Sequence, residues 1–207
     1  PLLMTAILAG HHSWRWGYGV VAGVLGLLSI LFILTIGLWR LDAPAGPATA
    51  AEPTASIAQA LAQPTVWMQI SLFFLYAGLE TSAGQLFYTL FTETRGIAPA
   101  VAGVTVGAYW AALTAGRILF GQLAATLGDR TILRIGMILA AAAALLLAWN
   151  PTPGLGLAGG VLLGLGLAPI FPTLISMTPR RVGRFHTPQA VGFQVAASAV
   201  GVVVFPS

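Results

Sequence analysis

The chain has 207 residues, of which 57% are hydrophobic and only 7% charged, whereas about a quarter of the residues in an ordinary soluble domain are charged. This composition excludes a soluble domain and predicts an all-α polytopic membrane protein. The net charge of +4 comes from nine arginines spread along short loops, so we expect no nucleic acid partner. The chain contains no cysteine, which excludes a disulfide framework and a thiolate metal site.

Apolar runs divide the chain into candidate membrane spans. Crossing the hydrocarbon takes about 20 apolar helical residues, and six segments reach roughly that length: 17–39, 66–91, 99–123, 131–149, 154–178 and 188–207. The opening "PLLMTAILAG" is too short to cross and has no basic residue before it, so it resembles neither a span nor a signal peptide. We expect it to be the end of a helix that starts earlier, and "VGVVVFPS" to be a second cut end.

Residues 40–64 differ from the rest because they are rich in Ala, Pro and Thr and have no sustained apolar period. They predict a linker, with a short surface helix near residues 56–62. The predicted organisation is therefore the end of one helix bundle in 1–39, a central linker in 40–64, and an incomplete second bundle in 65–207.

The arginines indicate an orientation. If the linker is cytoplasmic, alternate loops leave only Arg15 and Arg95 outside and place the other seven arginines inside. This bias predicts that the linker and the loop at 179–187 face the cytoplasm of a cell with an inner membrane.

The segment at 66–91 carries an acid, Glu80, near the middle of an apolar run. An ionised acid there costs at least about 2.5 to 3.5 kcal/mol, so it should face protein or a water-filled interior. At about 100° per residue, one stripe of this helix collects most of its polar and aromatic side chains: Gln69, Phe73, Tyr76, Glu80, Gly84 and Phe87. The stripe predicts the wall of a central cavity that binds a solute or a coupling proton; the alternative is that a neutral Glu80 only holds two helices together.

The segment "GRILFGQLAATLGDRTILRIG", residues 116–136, predicts a gating loop rather than a binding site. Glycine lets helices approach closely at 116 and 121 and permits a tight turn at 128. Arg117 lies near the predicted cytoplasmic end of its helix, where it can snorkel to the membrane surface, and it fits a gating or packing role better than that of a ligand. The candidate gating residues are Gly116, Arg117, Gly121, Gly128, Asp129 and Arg130.

The same segment resembles the loop motif of the major facilitator superfamily, G-x-L-A-D-R-x-G-R-R, which in that family joins helices two and three and again helices eight and nine. Ala125 and Thr126 stand where the pattern has an acid and a base, and five positions match it: Gly121, Leu123, Ala124, Gly128 and Arg130. "HHSWRWGYGVVAG" is similar to the start of helix six. "FLYAGLETSAG", "GLGLAPIFPTLIS" and "QAVGFQVAASAVG" are similar to helices seven, ten and eleven of the fucose-permease-like branch.

The resemblance covers the chain as the end of helix five through helix eleven. It implies a secondary transporter that works by alternating access, driven by protons, on a small polar solute such as a sugar. The remaining helices of the same protein would complete its site.

Three further features have two interpretations each. Trp110 fits either a cavity wall or a core aromatic, and Gln194 fits either a solute ligand or plain helix packing. Pro169 and Pro172 predict either a kink beside the site or a generic bend.

His11 and His12 lack a third ligand, so no metal and no cofactor are expected. No grouping of reacting side chains indicates an enzyme. The rival functions are multidrug efflux, which also suits one acid among aromatic rings, and a membrane sensor or scaffold that does not transport.

Overall fold

The computed structural model describes residues 7, 10, 13–39 and 53–207, and these divide into two compact units, Pro1–Glu52 and Pro53–Ser207. The described residues form helices and turns with no strand, which confirms the all-α class. Residues 40–52 of the predicted linker lie outside the described residues. In the first unit, helix α1 (Trp14–Leu34) begins after Ser13, whose hydroxyl accepts from the Arg15 amide, and a 3₁₀ turn follows at Ile36–Trp39.

The second unit contains seven α-helices within 53–207. They are α2 (Ile57–Leu61), α3 (Pro64–Thr89), α4 (Pro99–Leu127), α5 (Asp129–Trp149), α6 (Pro153–Leu167), α7 (Ile170–Val182) and α8 (Thr187–Val204). A π-helical turn at Leu90–Thr94 extends α3, and a 3₁₀ turn at Arg184–His186 precedes α8.

Local sequence explains where these helices start and stop. Proline, whose missing N–H costs nothing in a first turn, opens α3, α4, α6 and α8. The side chains of Ser56 and Gln59 form a reciprocal capping box at α2, which confirms the short helix predicted there. Gly128 joins α4 to α5 with a φ of +79°, a conformation that glycine adopts without strain, so the predicted tight turn is confirmed.

Four segments of the described chain are long and apolar enough to cross a membrane: Trp14–Leu34, Asp129–Trp149, Pro153–Val182 and Arg184–Val204. The helices α3 and α4 are also long enough, at 26 and 29 residues. Polar side chains such as Glu80 and Arg117 make them less apolar than the other four. The six predicted spans therefore correspond to six long helical segments, of which four qualify on composition.

Glycine brings the helices of the second unit close together. The main pairs are α5 with α6, α3 with α8, and α4 with α6. A Cβ added at Gly164 would overlap the Tyr109 carbonyl, one at Gly166 would lie 2.5 Å from the Ala140 amide nitrogen, and one at Gly201 would overlap the Phe74 carbonyl. Small residues thus let backbones approach where lipid offers no hydrophobic drive for helix association.

The α6–α7 span is broken in its middle. Helix α6 ends at Leu167, and α7 begins at Ile170 after a turn through Ala168 and Pro169. Pro169 lacks a backbone donor and its ring crowds the preceding turn, which accounts for the break at this position. The bend predicted from Pro169 is therefore present, and it leaves the Leu167 carbonyl at a helix end.

Candidate functional site

Glu80 lies about midway along the continuous helical segment that runs from Pro64 to Thr94. Its side chain is 13% exposed, so it is neither sealed in the core nor turned out to lipid. This position agrees with the sequence-based expectation of an acid at mid-span that faces an interior.

Arg117 of α4 is the counter-ion of Glu80. One guanidinium nitrogen, Nη2, lies 3.0 Å from Oε1 and 3.2 Å from Oε2 of the carboxylate. The Arg117 side chain therefore reaches across to α3, a contact that its place near a predicted helix end does not indicate. The pair carries no net charge, which lowers the cost of an acid at this depth.

Two tyrosines surround the acid. The Tyr76 hydroxyl, one helical turn before Glu80, contacts the carboxylate and also lies 2.9 Å from the Leu167 carbonyl oxygen. Since a hydroxyl has one proton, it can donate to only one of these acceptors at a time. Tyr109 of α4 donates to the main-chain carbonyl of Glu80 at 2.7 Å, which fixes the backbone of α3 against α4.

A cavity of about 250 Å³ opens beside this cluster. Helices α3, α4, α7 and α8 line it with Tyr76, Ala77, Glu80, Thr81, Arg117, Phe171, Ser198 and Val202. The wall combines one carboxylate, one guanidinium and three hydroxyl groups with an aromatic ring. Such a wall can both donate and accept hydrogen bonds while offering a flat apolar face.

The rest of the predicted stripe does not reach this cavity. Gln69 and Phe73 of the stripe are 2% and 1% exposed. Gln194 of α8, the other glutamine predicted as a solute ligand, is fully buried. Gln194 donates to the Gln69 side-chain oxygen and lies 3.0 Å from the hydroxyl of Thr178, which ties α3, α7 and α8 together. Phe73 packs edge-to-face on Phe171 at 5.1 Å between ring centroids. The stripe is thus one face, as predicted, but only Tyr76 and Glu80 of its members line the cavity.

Trp110 is partly buried and packs against the core rather than lining the cavity. Its indole sits against Gly84, where an added Cβ would overlap the ring, and it makes an edge contact with Tyr109 at 5.2 Å between centroids. Of the two interpretations open for Trp110, the structure supports the core aromatic. Gly84 is the partner that makes room for it.

The predicted gating residues fall into two groups. Gly116 packs closely against α6 and its end, since an added Cβ would lie 2.6 Å from the Ala168 Cβ. At Gly121 no atom of the described residues lies within 4 Å of an added Cβ, so the close helix contact expected there stays a prediction. Asp129 is ion-paired with Arg180 of α7 at 3.3 Å, and Arg130 lines a second cavity at the same end of the unit.

Sequence reasoning missed several members of the site because they come from other helices. Thr178, Tyr109 and the Leu167 carbonyl meet the α3 stripe only after the helices pack. One signal was available: Tyr76 and Tyr109 carry hydroxyl groups that need partners when buried in apolar spans.

The fold and the site together define a polytopic membrane protein with an ion-paired acid beside a polar cavity at mid-span, an arrangement typical of transport proteins. A sequence model of the Major Facilitator Superfamily matches residues 1–206. The chain therefore belongs to the major facilitator superfamily, whose members are membrane transporters of small molecules. Comparisons with curated proteins and with solved structures gave no match.

Proposed function

We propose that this chain is part of a proton-coupled secondary transporter that moves a small polar organic solute, most simply a sugar, across the inner membrane by alternating access. The observation that carries the proposal is the titratable Glu80, held at mid-span by Arg117 and open to a cavity. A purely structural acid has no need of access to an open cavity.

Proton binding to Glu80 changes the charge of the cavity. With Glu80 ionised the pair with Arg117 sums to zero, and with Glu80 protonated the guanidinium is left with a full unpaired positive charge. An unpaired charge at this depth is costly, so the two states favour different surroundings for Arg117. This difference supplies the free energy by which a proton biases one conformation over another.

Tyr76 links that charge to the backbone of the second unit. Its hydroxyl contacts both the Glu80 carboxylate and the Leu167 carbonyl at the break between α6 and α7. When Glu80 takes up a proton it becomes a weaker acceptor, and the tyrosine proton shifts to Leu167. The break between α6 and α7 is therefore a natural place for the proton to act on helix position.

The cavity favours a polar solute with several hydroxyl groups. Its volume of about 250 Å³ is slightly below the 300 to 1,000 Å³ of typical ligand sites, which suits a small solute. Phe171 offers a face for a sugar ring, and Thr81 and Ser198 add hydroxyl groups. Phe171 belongs to the segment that resembles helix ten of the fucose-permease-like branch.

The ion pair counts against the efflux alternative. A lipophilic cation that approaches the Glu80 carboxylate would also meet the positive charge of Arg117, so charge repulsion opposes its binding. A sensor or scaffold is compatible with the fold but gives Glu80 no reason to border a cavity.

The test is uptake by membrane vesicles that contain the complete transporter. A panel of sugars, other polar solutes and lipophilic cations is offered with an imposed proton gradient, with and without a protonophore. We expect one class of polar hydroxylated solute to accumulate and the protonophore to abolish its accumulation. Proton-driven movement of cations alone would establish efflux, and movement of no solute would favour a sensor or scaffold.

A further inference from the structure

A second cavity, larger than the one beside Glu80, lies at the end of the second unit where α4 meets α5 and where α7 finishes. Its volume is about 660 Å³, and it shares no residue with the Glu80 cavity. Four arginines line it: Arg130, Arg134, Arg180 and Arg181. We call this cavity the arginine cleft.

The arginine cleft has an excess of positive charge. Asp129, the acid among its described lining residues, pairs with Arg180 at 3.3 Å, and within residues 13–39 and 53–207 no carboxylate lies in salt-bridge range of the other three guanidinium groups. Arginine presents a planar fork of donors that matches phosphate oxygens. Three such forks without acid partners around one cleft indicate an anionic ligand.

The start of α5 adds to this charge. The cleft is lined by Gly128, which is the N-cap of the 21-residue helix α5, and by residues 129–131, which begin that helix. The first amide N–H groups of a helix have no helical acceptor and form the positive end of its dipole. The helix end therefore adds to the positive potential that the arginines create in the cleft.

The depth of the cleft points to a lipid as the source of the phosphate. Asp129 is the first residue of the candidate span Asp129–Trp149, so the cleft lies where the hydrocarbon gives way to headgroups. Its wall continues along α5 to Met137, which is 55% exposed and followed by Ile138 at 70% exposed. A ligand with its phosphate on the arginines can lay an acyl chain along this apolar surface.

We propose that the arginine cleft binds the phosphate of an anionic phospholipid headgroup, with its acyl chain along α5. Bound there, the lipid holds the α4–α5 turn against the end of α7, which are otherwise joined by the Asp129–Arg180 pair. This inference does not depend on the proposed substrate or on proton coupling.

The test is titration of the purified, detergent-solubilised full-length protein with short-chain phosphatidylglycerol, with binding followed by calorimetry. A basic residue near an anionic headgroup contributes about fivefold in affinity. We therefore expect Arg134→Gln and Arg181→Gln each to weaken binding by about fivefold. Arg184→Gln, the matched control at an exposed arginine that does not line the cleft, should leave binding unchanged. Asp129→Asn removes a negative charge from the wall of the cleft and should strengthen binding.

Two further probes distinguish the source of the phosphate. Short-chain phosphatidylcholine should bind much more weakly, because its choline carries a positive charge toward the arginines. Inorganic phosphate should bind weakly as well, because it has no chain to place along α5. The proposal is overturned if Arg184→Gln weakens binding as much as Arg134→Gln, if phosphatidylcholine binds as tightly as phosphatidylglycerol, or if inorganic phosphate binds as tightly as the lipid.

Discussion

Glu80 and Arg117 show what one sequence can predict about single residues. The position of Glu80 at mid-span and the face it shares with Tyr76 follow from helical periodicity, which is a local property of the chain. The partner of Glu80 does not, because the packing of α3 against α4 decides which of the nine arginines reaches it. The sequence places Arg117 near a predicted helix end, from where it can reach the membrane surface. Its long side chain instead spans the gap between two helices.

The pairing predicts a specific pattern of stability. Arg117→Gln leaves Glu80 without its counter-charge, so we expect the free energy of unfolding to fall by about 1 to 3 kcal/mol. Because the Arg117 side chain is half-exposed, solvent screening puts the expected loss at the lower end of this range. The double variant E80Q/R117Q has no charge to leave unpaired and should be more stable than Arg117→Gln alone. Thermal unfolding in detergent measures both. A double variant less stable than both single variants would count against the pair as a coupled unit.

At the scale of helices, sequence predicted the elements well and their contacts poorly. Proline at helix starts, glycine at the α4–α5 turn and the proline break between α6 and α7 all act within a few residues of themselves. The burial of Gln69 and Gln194 depends on α3, α7 and α8 meeting around Thr178. Helical periodicity alone cannot distinguish a polar side chain that lines a cavity from one that forms a hydrogen bond with another helix.

The glycines of α4 provide a matched test of helix contact. A side chain at Gly116 would press on Ala168 and Leu165, and overpacking of this kind costs about 1 to 3 kcal/mol. We expect Gly116→Val to lower the unfolding temperature in detergent. Gly121→Val on the same helix meets nothing within 4 Å and serves as the control. Equal effects of the two changes would mean that helix propensity, rather than contact with α6, dominates.

At the scale of the whole molecule, composition predicted a membrane bundle, and the loop motif with its neighbouring segments predicted the superfamily. The match to the Major Facilitator Superfamily confirms the predicted superfamily. The orientation in the membrane stays a prediction from the arginines. In the second unit, Arg95 contacts the C-terminal end of α5 and the arginine cleft lies at its N-terminal end. The predicted orientation therefore puts the Arg95 end outside and the arginine cleft on the cytoplasmic side.

Cysteine labelling tests this orientation, because the chain has no cysteine of its own. Exposed alanines are available in both predicted compartments: Ala62 follows α2, and Ala98 precedes α4. In intact cells a membrane-impermeant thiol reagent should label Ala98→Cys and spare Ala62→Cys until the membrane is opened. Labelling of Ala62→Cys alone from outside would reverse the topology.

The central claim is that Glu80 carries the coupling proton, and Glu80→Gln tests it most directly because it keeps size and hydrogen bonding but removes titration. The measurement compares uphill accumulation with exchange of internal for external substrate in the same vesicles. Glu93→Gln makes the same chemical change at an exposed acid in the turn that extends α3, and it serves as the control. We predict that Glu80→Gln abolishes accumulation and largely spares exchange, which needs no net proton movement, while Glu93→Gln changes neither. Wild-type accumulation by Glu80→Gln, or equal loss of accumulation and exchange, would contradict a coupling role for this acid.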